Sequence, residues 1–195
     1  NTSWDAYRFE VSAHRWVRLE NASCSWAIAN DATYGWDVTR HQNDRRGTWS
    51  QVRATLVKSA RFPDPDQDQG HHQWNFRIVP DASVLEAVAA GQQINLGERE
   101  VSGAPVDAPF SVDGAVVESV ALAPDRSGDL VIRLYEAEGG PSRVTFRAPK
   151  AGSVTACDLR YRPSDSEPEL RGGQGEWTFD LSAFQITTLR VSFAK

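Results

Sequence analysis

The sequence predicts an all-β chain built as β-sandwich domains, and three observations carry that prediction. Short runs alternating apolar and polar recur along the chain, at 7–11, 15–19, 25–30, 49–58, 73–79, 115–122, 129–136, 143–148, 153–160, 176–181 and 186–193. Glycine, proline, asparagine and aspartate cluster between the runs, where a turn needs them. Only one stretch, Ser83 to Ala90, has helical character.

The elements follow in chain order. Val52, Ala54 and Leu56 share one face of their run while Arg53 and Thr55 take the other, and Trp74, Phe76 and Ile78 alternate with Asn75 and Arg77. In the SVLEAVAA run, Ser83 is able to cap a helix and Gly91 to end it, so a two-turn connector is expected. From Gly97 to Pro109 neither period persists, which places a linker at 98–109 between domains 1–97 and 110–195. Beyond it, Leu130, Ile132 and Leu134 face one way, and Glu138-Gly139-Gly140-Pro141 leads to Val144 and Phe146, which predicts a hairpin. Leu189, Val191 and Phe193 share a face in the last run. The GGQG cluster at 172–175 is a turn into the strand EWTFDL; a phosphate-cradling loop would open a helix there.

Composition narrows the function classes. The chain has 195 residues, 40% hydrophobic, with a net charge of −5. It has no basic run longer than Arg45-Arg46, so neither nucleic acid nor an anionic membrane is an expected partner. No apolar stretch approaches the ~18 residues of a membrane span. Cys24 and Cys157 form no metal-ligand or redox spacing, so free thiols in a reducing, cytoplasmic setting are expected. Methionine is absent and the sequence opens at Asn1, which suggests a piece of a longer polypeptide.

The densest chemistry lies in PDPDQDQGHH, residues 63–72, between two strand-like runs. Asp64, Asp66 and Asp68 have the i, i+2, i+4 spacing of a calcium loop. Gln69 and Asn75 then stand where that loop needs glycine and glutamate, and no metal site is expected. His71 and His72, if on a strand, point to opposite faces. No GxSxG elbow or local Cys/His pairing supports a covalent nucleophile. Among seven tryptophans, Trp36 follows the turn Asn30-Asp31…Tyr34-Gly35 and is expected to be the exposed one. An exposed ring there would suit a free-standing carbohydrate-binding module, the alternative function.

Taken in order, the blocks NTSWDAYRFEVSAHRWVRL, AIANDATYGWDV, FPDPDQDQGHHQWNFRIVP, LVIRLYEAEGG, VTACDLRYRP and AFQITTLRV resemble the C-terminal β-domains of the α-mannosidases of glycoside hydrolase family 38. The likeness is to the cytosolic and bacterial branch. It implies the end of a large galactose-mutarotase-like β-domain followed by a small C-terminal β-sandwich. The family's members are retaining, zinc-dependent exo-mannosidases whose metal ligands and nucleophile lie in an N-terminal α/β domain, followed by a helical bundle. The resemblance therefore implies no catalytic residue and no metal ligand in this chain, and zinc only in the parent enzyme. The implied partners are the N-terminal catalytic domain, the helical bundle and mannose-containing glycans.

Carried over by position, the family's Asn-Asp-x-Lys-Tyr-Gly block is matched by Asn30, Asp31, Tyr34 and Gly35, with Thr33 in the lysine's place and Trp36 following. The Asp-Gln-Gly-x-His block is matched by Asp68, Gln69, Gly70 and His72. With Asp64 and Asp66 from the same loop, these positions are the expected cleft-edge or domain-interface residues.

Overall fold

The alternation becomes antiparallel sheet throughout the residues that the computed structural model describes, which are 9–45, 47–98, 100–104, 107–164 and 167–193. Two compact units result, Asn1–Glu100 and Val101–Lys195. The first contains β1 (Val11–Ser12), β2 (Trp16–Glu20), β3 (Ser25–Asn30), β4 (Gly35–Asn43), β5 (Gly47–Thr55), β6 (Phe76–Pro80) and the helix α1 (Val84–Asn95). Its sheets are three strands wide, in the orders β1-β4-β5 and β2-β3-β6.

Helix α1 lies on the second sheet, where Ala27, Ala82 and Ala87 form a buried cluster against Trp16 and Val79. Ser83 caps it as expected: the Ser83 hydroxyl accepts from the Glu86 backbone N–H, and the Glu86 carboxylate accepts from the Ser83 backbone N–H. The helix then runs twelve residues, longer than the two turns expected, and passes through Gly91. Gly91 does not stop the helix because its role is packing. A Cβ there would sit 2.9 Å from Trp16 Cδ1 and 3.2 Å from the Arg15 Cβ, so only glycine lets the helix approach β2 so closely.

Besides the run expected at 7–11, of whose described residues only Val11 is in a strand, the first unit departs from the expected strands at three places. β4 was not anticipated, because its polar run DVTRHQN hides the alternation of Trp36 and Val38 against Asp37 and Thr39. β5 ends at Thr55 rather than 58, because the Lys58 and Ser59 N–H groups turn to the Asp68 carboxylate. The strand expected from 73 begins at Phe76, since the Asn75 N–H is given to Asp31 instead of a ladder. The segment around His71 and His72 is therefore irregular, and the expected divergence of the two rings across a strand does not apply. Tyr7 and Arg8, from the first expected run, lie outside the described residues.

Trp36 corrects the sequence reading. It is 2% exposed, lies between Val11 and Ala54 in the sheet, and meets Phe76 edge-on at 6.3 Å between ring centroids. Buried with the Phe76 ring packed edge-on against it, it offers no open face on which a sugar could stack. The carbohydrate-binding alternative loses its platform with this residue.

The second unit is a sandwich of two four-stranded sheets. Its strands are β7 (Ser111–Asp113), β8 (Val116–Leu122), β9 (Leu130–Tyr135), β10 (Ser142–Arg147), β11 (Ala151–Cys157), β12 (Arg171–Gly173), β13 (Glu176–Leu181) and β14 (Ile186–Phe193). They are ordered β12-β13-β10-β7 and β11-β14-β9-β8. The faces expected from the sequence meet in the core: Ile132, Leu134, Leu189 and Val191 from one sheet pack with Val144, Phe146, Phe179 and Leu181 from the other.

β9 and β10 sit in different sheets, so the expected hairpin is instead an arch across the sandwich. Glu136, which is buried, sets this crossing. Its carboxylate accepts from the N–H groups of Glu138 (2.6 Å) and Gly139 (2.8 Å) in the arch and of Phe184 (2.9 Å) in the β13–β14 connection. These bonds, the one from Phe184 foremost, hold its carboxyl below the usual glutamate range. At the β8–β9 connection Arg190 donates to Asp129 and Asp125, each at 2.7 Å, and the Ser127 hydroxyl and amide, with Arg190, lower the Asp125 carboxyl to about 2.

Two outcomes are expected. Gly91→Ala should lower the urea midpoint, because overpacking against Trp16 costs ~1–3 kcal/mol and outweighs the ~1 kcal/mol gained in helix propensity; an unchanged or higher midpoint would show that Trp16 yields. Because the folded pKa values of Glu136 and Asp125 lie below their unfolded ones, their stabilisation is complete above the unfolded values and disappears as pH falls through the folded ones. Melting temperature should therefore hold from neutrality to about pH 5 and drop from about pH 4 towards 2, and Glu136→Gln should flatten that drop.

Candidate functional site

The polar turns of the first unit gather round an open cleft of about 540 Å³, whose lining includes Glu10, Tyr34, Gly35, Thr55, Lys58 and Asp68. The β1–β4 pairing brings Glu10 beside Gly35, whose missing side chain leaves the space: a Cβ there would stand 3.0 Å from Glu10 Oε1. The Thr55 hydroxyl donates to the Glu10 carboxylate, and Lys58 Nζ lies 3.4 Å from it. The Thr55 bond is the main cause of a depressed Glu10 pKa.

Asp68 organises the floor. It occupies the left-handed region at φ 60°, which aspartate tolerates, and its Oδ2 accepts from the backbone N–H groups of Lys58 and Ser59, both at 2.9 Å. Those bonds, from Ser59 first, lower its pKa. The Asp68 carbonyl accepts from His72 Nε2 at 2.8 Å, and the His72 ring stacks on Trp74 at 5.3 Å. The loop between β5 and β6 is thus pinned at both ends.

The other expected residues take different places. Asn30 is buried at the end of β3, where its Oδ1 accepts from Thr33 N–H at 2.8 Å and Ala32 N–H at 3.2 Å. Asp31 clasps Asn75, accepting from the backbone N–H at 3.0 Å and the side-chain amide at 2.6 Å, and the backbone bond leads the lowering of its pKa. Thr33, standing in the lysine's place, donates its hydroxyl to the Thr55 carbonyl. Tyr34 lines the cleft and stacks on His14 at 5.3 Å. Asp64 closes its own turn by accepting from the Asp66 N–H at 3.0 Å, while Gln69 donates to Asp66 and to the Pro65 carbonyl. Gly70 sits at φ 125° with open space about it.

The structure therefore unites Tyr34, Gly35 and Asp68 at the cleft and leaves Asn30, Asp31, Asp64, Asp66, Gln69, Gly70 and His72 as the frame behind them. Glu10, Thr55 and Lys58 are cleft residues that the sequence reading missed. Single charges flanking strands give no local signal; only the pairing of β1 with β4 and of β4 with β5 assembles them. Among the described residues no group of three or more His, Cys, Asp and Glu side chains could hold a metal ion.

Chemically the cleft is a hydrogen-bonding surface. Its carboxylates are pushed towards the ionised form, so they accept protons poorly and, ionised at neutral pH, have none to donate. A glycosidase acid is a carboxyl raised towards neutrality, and the hydrogen bonds to Glu10 and Asp68 act in the opposite direction.

Two family models match the sequence, the glycosyl hydrolases family 38 C-terminal domain over residues 1–66 and the family 38 C-terminal beta sandwich domain over 114–189. The chain belongs to the C-terminal region of glycoside hydrolase family 38. Its relatives there include Alpha-mannosidase 2C1 of Homo sapiens, 34% identical over 205 residues and 97% of this chain. Alpha-mannosidase G of Dictyostelium discoideum is 28% identical over 97% of the chain, and the Alpha-mannosidase of Saccharomyces cerevisiae 27% over 99%. The family 38 chain spans 18 to 20% of the length of these relatives.

Asp68→Ala should speed hydrogen exchange at the Lys58 and Ser59 amides, and Asp31→Ala at the Asn75 amide, in exchange followed residue by residue. Asp68→Asn, which keeps an acceptor oxygen, should preserve most of the protection; equal exchange in the Ala variant and the native chain would show that the clasp does not hold the loop.

Proposed function

We propose that this family 38 chain is a non-catalytic β-region of a retaining, zinc-dependent α-mannosidase, acting on terminal α-mannose, and that its cleft braces the edge of an active site carried elsewhere in the polypeptide. The observation that carries this is the Asp68 clasp, a built cleft whose hydrogen bonds favour the ionised carboxylate over the protonated acid. The names of the relatives support the reaction. Zinc does not fit the described residues, which lack a three-ligand group, so no step is assigned to it in this chain.

In that setting Tyr34 offers an aromatic face, and Glu10 and Asp68 offer acceptors, to a hydroxylated leaving group. Their contribution is orientation, for which a misplacement of ~1 Å costs on the order of 10²-fold in rate. A cytoplasmic setting belongs to the same proposal, supported by the two free thiols, Cys24 and Cys157.

In the polypeptide that carries this chain, Asp68→Ala should lower kcat/KM on a mannobiose about tenfold or more while changing an aryl mannoside less, since the aryl group makes fewer hydrogen bonds. Unchanged kinetics on both substrates would remove the cleft-edge role. The 195-residue chain alone should not hydrolyse α-mannosides; turnover by it would overturn the non-catalytic assignment.

A further inference from the structure

The outer face of the sheet β11-β14-β9-β8 holds a cation that the described chain does not neutralise. Register sets Ser119 of β8, Arg133 of β9 and Thr188 of β14 in one row across three strands, on the face turned away from Ile132, Leu134 and Leu189 of the core. Arg133 is half-buried there, yet its Nε reaches the Thr188 hydroxyl at 3.4 Å and its Nη2 the Leu159 carbonyl at 3.5 Å, both at the limit of a hydrogen bond. Arg18 and Arg190 are half-buried as well, and they hold carboxylates at 2.8 and 2.7 Å. Arg133 has no such ion pair among the described residues. The turn beside it is built: Asp158 accepts from the Arg160 and Arg162 N–H groups at 2.8 and 3.0 Å, and this holds Tyr161 at φ 65° with its ring centroid 5.8 Å from Arg133 Cζ. A ring on the guanidinium and two long, neutral contacts leave the rest of its N–H donors without an acceptor among the described residues, next to the exposed Ser119.

We propose that Arg133 and Ser119 form a binding site for a tetrahedral oxyanion, a phosphate or sulfate group, on the outer face of the second unit. A half-buried charge without a counter-ion costs stability, and an oxyanion supplies the missing acceptors in the paired geometry that a guanidinium favours. A tetrahedral group suits the row better than a carboxylate. Two of its oxygens can take the guanidinium and a third the hydroxyl on the neighbouring strand, whereas a carboxylate has no third oxygen to give. The site is independent of the mannosidase reading, whose residues lie in the first unit.

The test is phenylglyoxal modification of arginines in the polypeptide that carries this chain, read residue by residue by mass spectrometry at constant ionic strength, with the exposed Arg143 of the opposite sheet as reference. Arg133 should react in buffer, and millimolar inorganic phosphate should slow it about tenfold or more while Arg143 keeps its rate and sodium chloride has no such effect. Ser119→Ala should weaken that protection severalfold, and Glu118→Gln, which removes a negative charge next to Ser119 at the bulge in β8, should strengthen it. Methyl phosphate separates two sources of the group: protection by it as well as by inorganic phosphate supports a phosphate ester, and protection by inorganic phosphate alone the free ion. No slowing by phosphate, equal slowing by chloride or equal slowing of Arg143 overturns the proposal, and full protection in Ser119→Ala removes the hydroxyl and with it the tetrahedral assignment. An Arg133 that reacts only after unfolding in urea also overturns it, because another part of the polypeptide then covers the guanidinium.

Discussion

Carboxylates that accept backbone N–H groups hold this molecule's turns in place, and most other features depend on them. Asp68 takes the N–H groups of Lys58 and Ser59, Asp31 that of Asn75, Glu136 those of Glu138, Gly139 and Phe184, Asp158 those of Arg160 and Arg162, and Glu86 that of Ser83. Each occurs where a strand or helix ends and the backbone leaves its ladder, which is where an unpaired amide would otherwise be stranded. Bonds to a charged acceptor are stronger than neutral ones, and each depresses the pKa of the carboxyl that makes it. The acidic loop at 63–72 is one instance of a chain-wide way of closing turns.

How much of this was legible follows from what sequence patterns encode. Alternation records which face a residue takes, so Leu130, Ile132 and Leu134, Val144 and Phe146, and Leu189, Val191 and Phe193 fall in one core as expected. It says nothing of which strand lies alongside. The link from β9 to β10 reads as a hairpin through its Gly-Gly turn, yet Glu136 ties that turn to Phe184, so the chain crosses between sheets. Local chemistry reads better when both partners are near: Ser83 and Glu86 form the expected capping box. Gly91 misleads because a helix-ending glycine and a close-packing glycine look alike until Trp16 is found 2.9 Å from its missing Cβ.

The tryptophans show the same limit. The turn before Trp36 suggested exposure, but Trp36 is buried with Phe76 packed against it, while among the described tryptophans Trp26 is the exposed ring. The parity of SWAIAN contains the answer: Ala27 and Ala29 share a face, so Trp26 and Ile28 share the other. What it omits is that α1 packs on the alanine side. At the cleft, Tyr34, Gly35 and Asp68 were legible as a motif, and Glu10, Thr55 and Lys58 were not, because they become neighbours only through strand pairing and the Asp68 clasp.

Electrostatics and packing lead to one consequence for function. A glycosidase divides its work between a carboxyl that keeps a proton near neutrality and one that stays ionised, and burial away from hydrogen-bond donors is what raises the first. Glu10, Asp68 and Asp31 instead accept from nearby donors, Thr55, the Lys58 and Ser59 amides, and Asn75 respectively. Converting Asp68 or Asp31 into an acid would require removing the N–H bonds that close its turn, and the cleft would lose its shape along with its charge. At Asp68 and Asp31 the bonds that hold the turn are the same bonds that lower the carboxyl's pKa.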